Sequence, residues 1–148
     1  MPNAERRAQV TWEGSLTKGH GTIVSTSSGA LKDLPVTWAS RVEQPDGKTS
    51  PEELIAVAHA ECYAMGLANS LTQSGTPADK LDVNAVCTLE LSANGLKIQS
   101  MDLTVNGKVP GIDAAAFEKA ALVAEQNCPV SNALRNNLEI RVHSQLEQ

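Results

Sequence analysis

Hydrophobic and polar positions change their period several times along this chain. In RAQVTWEG, Ala8, Val10 and Trp12 take one side of a two-residue alternation while Gln9, Thr11 and Glu13 take the other, the pattern of a half-buried strand. Gly14, Gly19, Gly21 and Gly29 punctuate short strands around GTIVST and PVTWASRVE, so the first forty residues predict a β-meander. Residues 43–50, EQPDGKTS, carry the residue types of a loop. The period then becomes helical. Ser50 can cap, Pro51 suits the first helical position and Glu53 stands three residues after Ser50, which together form a capping-box signature. The body of SPEELIAVAHAECYAMGLANSL is apolar nearly all round, with Glu52, Glu53, His59 and Glu61 as its ionisable residues before Asn69. A helix of that kind is expected to be central and buried.

Alternation returns after TQSGTPADK. Leu81, Val83, Ala85, Cys87, Leu89 and Leu91 share one side of a predicted strand, ANG turns the chain, and LKIQSMDLTVNGKVPG predicts its partner, with a slip of period near Ser100 that reads as a bulge. Asp113 is a cap for AAAFEKAALVAEQN, in which Phe117, Ala121, Ala124 and Cys128 fall on one helical face. Pro129 ends that helix, VSNALRN is a short turn, and LEIRVHSQL is a last strand with Leu138, Ile140 and Val142 pointing one way. Strands, helix, strands, helix, strand is the order of an α+β fold with antiparallel β-sheets packed on central helices.

The 148 residues fit a single domain spanning 1–148. With 41% hydrophobic but only 3% aromatic residues, the core must be built from Val, Leu, Ile and Ala. A net charge of -5 lacks the basic excess that nucleic acids or anionic membranes call for, so no nucleic-acid partner is expected. The amino terminus has no apolar run of signal-peptide type and no apolar stretch reaches about 18 residues, so no membrane partner is expected and a cytoplasmic location is the working expectation.

Three cysteines, Cys62, Cys87 and Cys128, are an odd and widely spaced set, unlike a secreted disulfide framework. Cys87 sits on the apolar side of a clean alternation, the place of a packing residue. Cys62 is either a small core hydrophobe or a reactive thiol, with His59 one turn before it and Glu61 beside it. Cys128, in NCPVSN at a helix end, has a position from which a thiol can move when a turn unwinds. A zinc site from His59, Cys62, Cys87 and Cys128 lacks any CxxC pair. His59–Ala60–Glu61 has the HxE form of zinc deaminases, but Ser131 stands where the second cysteine of PCxxC belongs. A hydrolase could pair Cys62 with His20, His59 or His143, without a motif that fixes the geometry.

Two separated segments carry a resemblance. SPEELIAVAHAECYAMGLANSL, followed by VPGIDAAAFEKAALVAEQNCPVSNAL, resembles the osmotically induced protein C and organic hydroperoxide resistance (OsmC/Ohr) family, in its OsmC branch, and the likeness extends over essentially the whole chain through WEGSLTKGHGTIVSTSSGAL and SRVE. The resemblance implies a thiol-dependent peroxidase of the OsmC-like fold. Cys62 matches the peroxidatic cysteine, Cys128 the resolving cysteine that forms a disulfide with it, Glu52 the acidic partner and Arg41 the arginine that organises the site. In the Ohr branch that arginine belongs to the earlier glycine-rich segment, where this chain reads Lys18, Gly19, His20, Gly21. The resemblance further implies organic hydroperoxide as substrate, an external dithiol of lipoyl type as reductant, and no metal or flavin cofactor. Leu54, Ala58, Met65 and Leu67 are the expected apolar neighbours of the substrate's alkyl tail. Glu52 and Cys62, ten residues apart on one helix, lie about 15 Å apart along its axis. A shared site therefore needs Glu52 from a second subunit, which predicts an intertwined homodimer. The alternative carried beside this reading is a non-catalytic binder of small apolar ligands, or a redox switch, on the same fold.

Overall fold

A computed structural model describes residues 3–148, and these gather into two compact units that divide between Pro51 and Glu52. In the first unit, β1 (Ala8–Glu13), β2 (His20–Thr26) and β3 (Lys32–Val36) form an antiparallel sheet in chain order, the expected meander. Gly21 is central in it: a β-carbon there would stand 2.7 Å from the Trp12 ring and 2.9 Å from Val36, so the three strands close only around a glycine. Two features differ from expectation. All of β1 is exposed, Val10 and Trp12 included, so the alternation marks an apolar face that a single chain leaves uncovered. The segment after Val36 is not strand. Thr37 caps a short helix α1 (Trp38–Val42) by accepting from the Ser40 amide while Ser40 Oγ accepts from the Thr37 amide, and this reciprocal cap overrides the alternation of Val36 and Trp38.

The second unit opens with α2 (Pro51–Gln73), one unbroken helix whose start falls where the Ser50–Pro51 signature put it. β4 (Lys80–Ser92) and β5 (Gly95–Lys108) make a long antiparallel hairpin, and its register shifts opposite Gln99, next to the predicted slip at Ser100. Asp113 caps α3 (Ala114–Asn127) by accepting from the Ala116 amide. The expected VSNALRN turn is instead mostly a second short helix, α4 (Pro129–Leu134), because Pro129, which cannot continue α3, is well suited to begin a helix.

The last strand, β6 (Glu139–Leu146), pairs with β5 in parallel from Ser100–Glu139 to Gly107–Leu146. The expectation of wholly antiparallel sheets is corrected at this one pairing. A parallel neighbour needs a long crossover, and α3 with α4 supply it. The core lies between this sheet and the helices: Tyr63, Leu67 and Leu71 of α2 meet Met101, Leu103 and Val105 of β5 and Phe117, Ala121 and Ala124 of α3, with Cys128 in the same cluster.

Candidate functional site

At about 100° per residue, Glu52, His59, Tyr63, Leu67 and Leu71 form one stripe along α2. All five are buried. Their stripe lies against β5 and α3, and Tyr63 anchors it by donating a hydrogen bond of 2.9 Å to the Ala121 carbonyl. Burial, with help from the Glu125 carboxylate and Cys128, pushes the Tyr63 phenol far above its ordinary range and keeps it a neutral donor. Cys62 falls at the edge of this stripe and is half-buried. The opposite face carries Val57, 57% exposed, and Met65, 62% exposed. The helix expected to be buried all round is therefore buried on one side only in the single chain.

Cys128 is the junction of α3 and α4. It ends the first helix and begins the second in an extended conformation, φ -71° and ψ 120°, and its side chain is fully buried. That geometry brings the two sequence-predicted thiols together. Both are free, and the Cys62 thiol has the Cys128 thiol and the backbone N–H of Val130, at the start of α4, among the groups that act on it. Burial pushes the Cys62 thiol up in pKa. The Val130 N–H pulls it down, and the Cys128 thiol and the Glu61 carboxylate push it up further. The groups of its own unit thus leave Cys62 a thiol on balance, and a nucleophilic thiolate here requires added positive charge.

The other predicted site residues stand elsewhere. Glu52 is buried in the first turn of the same continuous helix, so about 15 Å of helix axis separates it from Cys62. Arg41 lies in the last turn of α1, in the first unit. Cys87 is half-buried on β4, and its thiol is pushed up by burial and by the Glu52 carboxylate, which fits a packing residue. Of the four apolar neighbours expected beside the thiol, Leu54, Ala58 and Met65 fall on one side of α2 by helical geometry. Leu67 points into the core and is withdrawn from that set. Among the described residues no group of three or more His, Cys, Asp and Glu side chains is placed to hold a metal ion. Nor, among them, is any helix long and apolar enough to cross a membrane.

Beside the thiols stand the His59–Ser131 pair and two groups, Glu125 and the Val130 amide, that the sequence did not point to; of the first, the sequence offered His59 only as a possible partner of Cys62. His59 Nε2 and Ser131 Oγ form a fully buried hydrogen bond of 2.6 Å, and His59 Nδ1 is buried without a partner. Burial lowers the His59 pKa, the Glu125 carboxylate opposes this and Arg135 adds to it, so the ring is a neutral imidazole. Glu125, nearly buried, accepts from Arg135 Nη2 at 2.8 Å. The third group is the Val130 amide, a backbone donor that no side-chain motif signals. His59 alone carried a signal, as an ionisable residue inside an apolar helix.

The model of the OsmC-like protein family matches residues 44–143. Peroxiredoxin OsmC of Escherichia coli (strain K12) is 38% identical over 135 residues, covering 91% of this chain and 93% of its own. Two solved structures share the fold. The organic hydroperoxide resistance protein OhrB of Bacillus subtilis aligns with a TM-score of 0.72 at 23% identity, over 94% of this chain and 98% of its own. An organic hydroperoxide resistance protein from Elizabethkingia anophelis aligns with a TM-score of 0.74 at 22% identity, over 99% of this chain and 100% of its own.

Proposed function

The chain belongs to the OsmC-like family, and from that premise we propose that it is a thiol-dependent peroxidase of peroxiredoxin type that reduces organic hydroperoxides to alcohols. The observation that carries this reading is the pair of free thiols, Cys62 on α2 and Cys128 at the α3–α4 junction, each acting on the other, with the Val130 N–H beside the first of them. In the reaction, the Cys62 thiolate attacks the terminal peroxide oxygen, the O–O bond breaks, and the alkoxide leaves with a proton as alcohol. Cys62 becomes a sulfenic acid. The Cys128 sulfur then attacks the Cys62 sulfur, the S–O bond breaks, and water leaves with the Cys128 proton. An external dithiol, of lipoyl type in our reading, returns the disulfide to two thiols by exchange.

The positive charge that Cys62 lacks comes in this proposal from Arg41, whose planar guanidinium the Glu52 carboxylate holds by a bidentate pair. Glu52 cannot reach Cys62 along its own helix, so it is the partner subunit's Glu52 that completes the site. The exposed apolar residues Val57 and Met65 on α2, and Val10 and Trp12 on β1, support a homodimer that covers them. Leu54, Ala58 and Met65 would meet the alkyl group of the substrate, whose burial contributes at about 25 cal/mol per Å² and favours organic over hydrogen peroxide. No metal or flavin takes part, and we place the enzyme in the cytoplasm.

The test is peroxide consumption by wild type and Cys62→Ser with dihydrolipoamide, comparing tert-butyl and cumene hydroperoxide with hydrogen peroxide. Turnover that requires Cys62 and favours the organic peroxides is expected. Its absence from fully reduced protein overturns the reading. Sedimentation supplies the second test, since a monomer with full activity would exclude the shared site.

A further inference from the structure

We propose that His59 and Ser131 are positioning residues: their hydrogen bond is a clasp that holds α4 on α2 and so presents Cys128 to oxidised Cys62. This rests on the peroxidase reading above, whose chemistry does not otherwise use either residue. His59 stands three residues before Cys62 on α2, and Ser131 three residues after Cys128 at the start of α4, so the clasp lies one turn from the thiol pair on both sides.

Three polar contacts join the middle of α2 to the α3–α4 junction, and the hydrogen bond between His59 and Ser131 is one of them. The Cys62–Cys128 and Val130–Cys62 contacts both run through the sulfur that peroxide oxidises. When that sulfur gains an oxygen, the first contact must be remade and the second altered. The His59–Ser131 bond contains no redox atom, and both side chains are completely buried. It is the polar tie that keeps its chemistry through the cycle.

The pair's own design points the same way. A buried imidazole and hydroxyl must replace the hydrogen bonds of water, and two apolar side chains would fill the same space without leaving Nδ1 unpaired. What an apolar pair lacks is direction. A 2.6 Å hydrogen bond fixes both the distance of α4 from α2 and its rotation about its own axis. The Cys128 sulfur needs both, because disulfide formation requires in-line approach to the Cys62 sulfur as the S–O bond breaks and water leaves.

Reduced wild type, Ser131→Ala and Ser131→Thr are treated with increasing cumene hydroperoxide, and mass spectrometry reads how Cys62 divides between the Cys128 disulfide and sulfinic acid. Ser131→Ala is expected to form the disulfide about 10- to 100-fold more slowly, the loss that a displacement of about 1 Å causes in a positioned reaction. Sulfinic acid then appears at correspondingly lower peroxide. Ser131→Thr, which keeps the hydroxyl, is expected to follow wild type. The same variants equilibrated with glutathione buffers report the effective concentration of Cys128 toward Cys62 without any peroxide, and this too should fall in Ser131→Ala. If that variant does not fold by circular dichroism, His59→Leu removes the clasp from the other side, since the Ser131 hydroxyl can turn back to a carbonyl of its own chain.

Wild-type partition and wild-type glutathione equilibrium in the variant that folds overturn the clasp and leave the peroxidase reading intact. Equal losses in Ser131→Ala and Ser131→Thr also overturn it, because packing and not the hydrogen bond would then be responsible. A wild type that consumes no peroxide overturns the peroxidase reading instead, and the glutathione equilibrium alone then decides whether the clasp pairs the thiols.

Discussion

Gly107→Ala is a small change placed where it should act on both the fold and the delivery of Cys128. Gly107 lies on β5, paired with Leu81 on one side and Leu146 on the other, so its backbone is pinned from both directions. A β-carbon there would stand 2.4, 2.7 and 3.2 Å from three carbons of the Phe117 ring. Phe117 is buried on α3 and has little room to retreat. An alanine in a strand ordinarily gains about 0.5–1 kcal/mol over glycine through the unfolded chain. Here the overlap demands that ring or helix move by about 1 Å, which places the overpacking cost near the upper end of the usual 1–3 kcal/mol and leaves about 2 kcal/mol of net destabilisation. With a urea slope of about 2 kcal/mol per M, the unfolding midpoint should fall by about 1 M. The displaced helix ends at Cys128, so disulfide formation should slow in the same variant. Adding Phe117→Leu should recover part of both losses, which a double-mutant cycle measures as coupling. A midpoint for Gly107→Ala at or above that of wild type would refute the reasoning, since the steric term would then be smaller than the ordinary alanine gain.

The other predictions concern the thiols. Cys128→Ser should reduce about one peroxide per chain to reach the Cys62 sulfenic acid, and a second peroxide should then carry it to sulfinic acid, seen as a gain of two oxygens by mass spectrometry; sustained turnover with dihydrolipoamide would show that Cys128 does not resolve Cys62. Glu61 pushes the Cys62 pKa up, so Glu61→Gln should lower it: the pH profile of iodoacetamide alkylation shifts to lower pH, and an unmoved profile would remove Glu61 from the electrostatics. Arg41→Lys should raise the Cys62 pKa and lower kcat/KM for organic peroxide, because a lysine cannot form the bidentate pair proposed for Glu52; wild-type kinetics in this variant would dismiss Arg41 from the site.

Much of this arrangement is written locally in the chain. The start of α2 at Pro51, the bulge opposite Gln99 and the Asp113 cap each depend on residues within a few positions of one another, and each was legible. The helix at Trp38–Val42 was obscured because five residues present too little of a helical period to outweigh the apolar alternation of Val36 and Trp38. The direction of β6 carries no trace in its own alternation, since parallel and antiparallel strands bury the same positions. The candidate site divides in the same manner. Cys62 and Cys128 could be named from their segments, whereas the His59–Ser131 bond joins residues 72 positions apart and leaves no periodic signature. Leu67 was misplaced because an all-apolar helix conceals which side meets the core; only the packing of Tyr63 and Leu71 reveals it.

The parallel pairing of β6 with β5 also carries a closure cost that the hairpin does not. The β4–β5 hairpin joins neighbours through a tight turn, but β6 can dock only after the whole segment from Val109 to Leu138 has been looped back across the sheet. Closing such a loop has an entropic cost that is recovered only when the last ladder forms. Cys128 rides on that loop. Its sulfur meets that of Cys62, 66 residues earlier in the chain, through the same tertiary packing that draws this loop back over the sheet. An unfolded chain carries separate thiols; the folded one carries a pair.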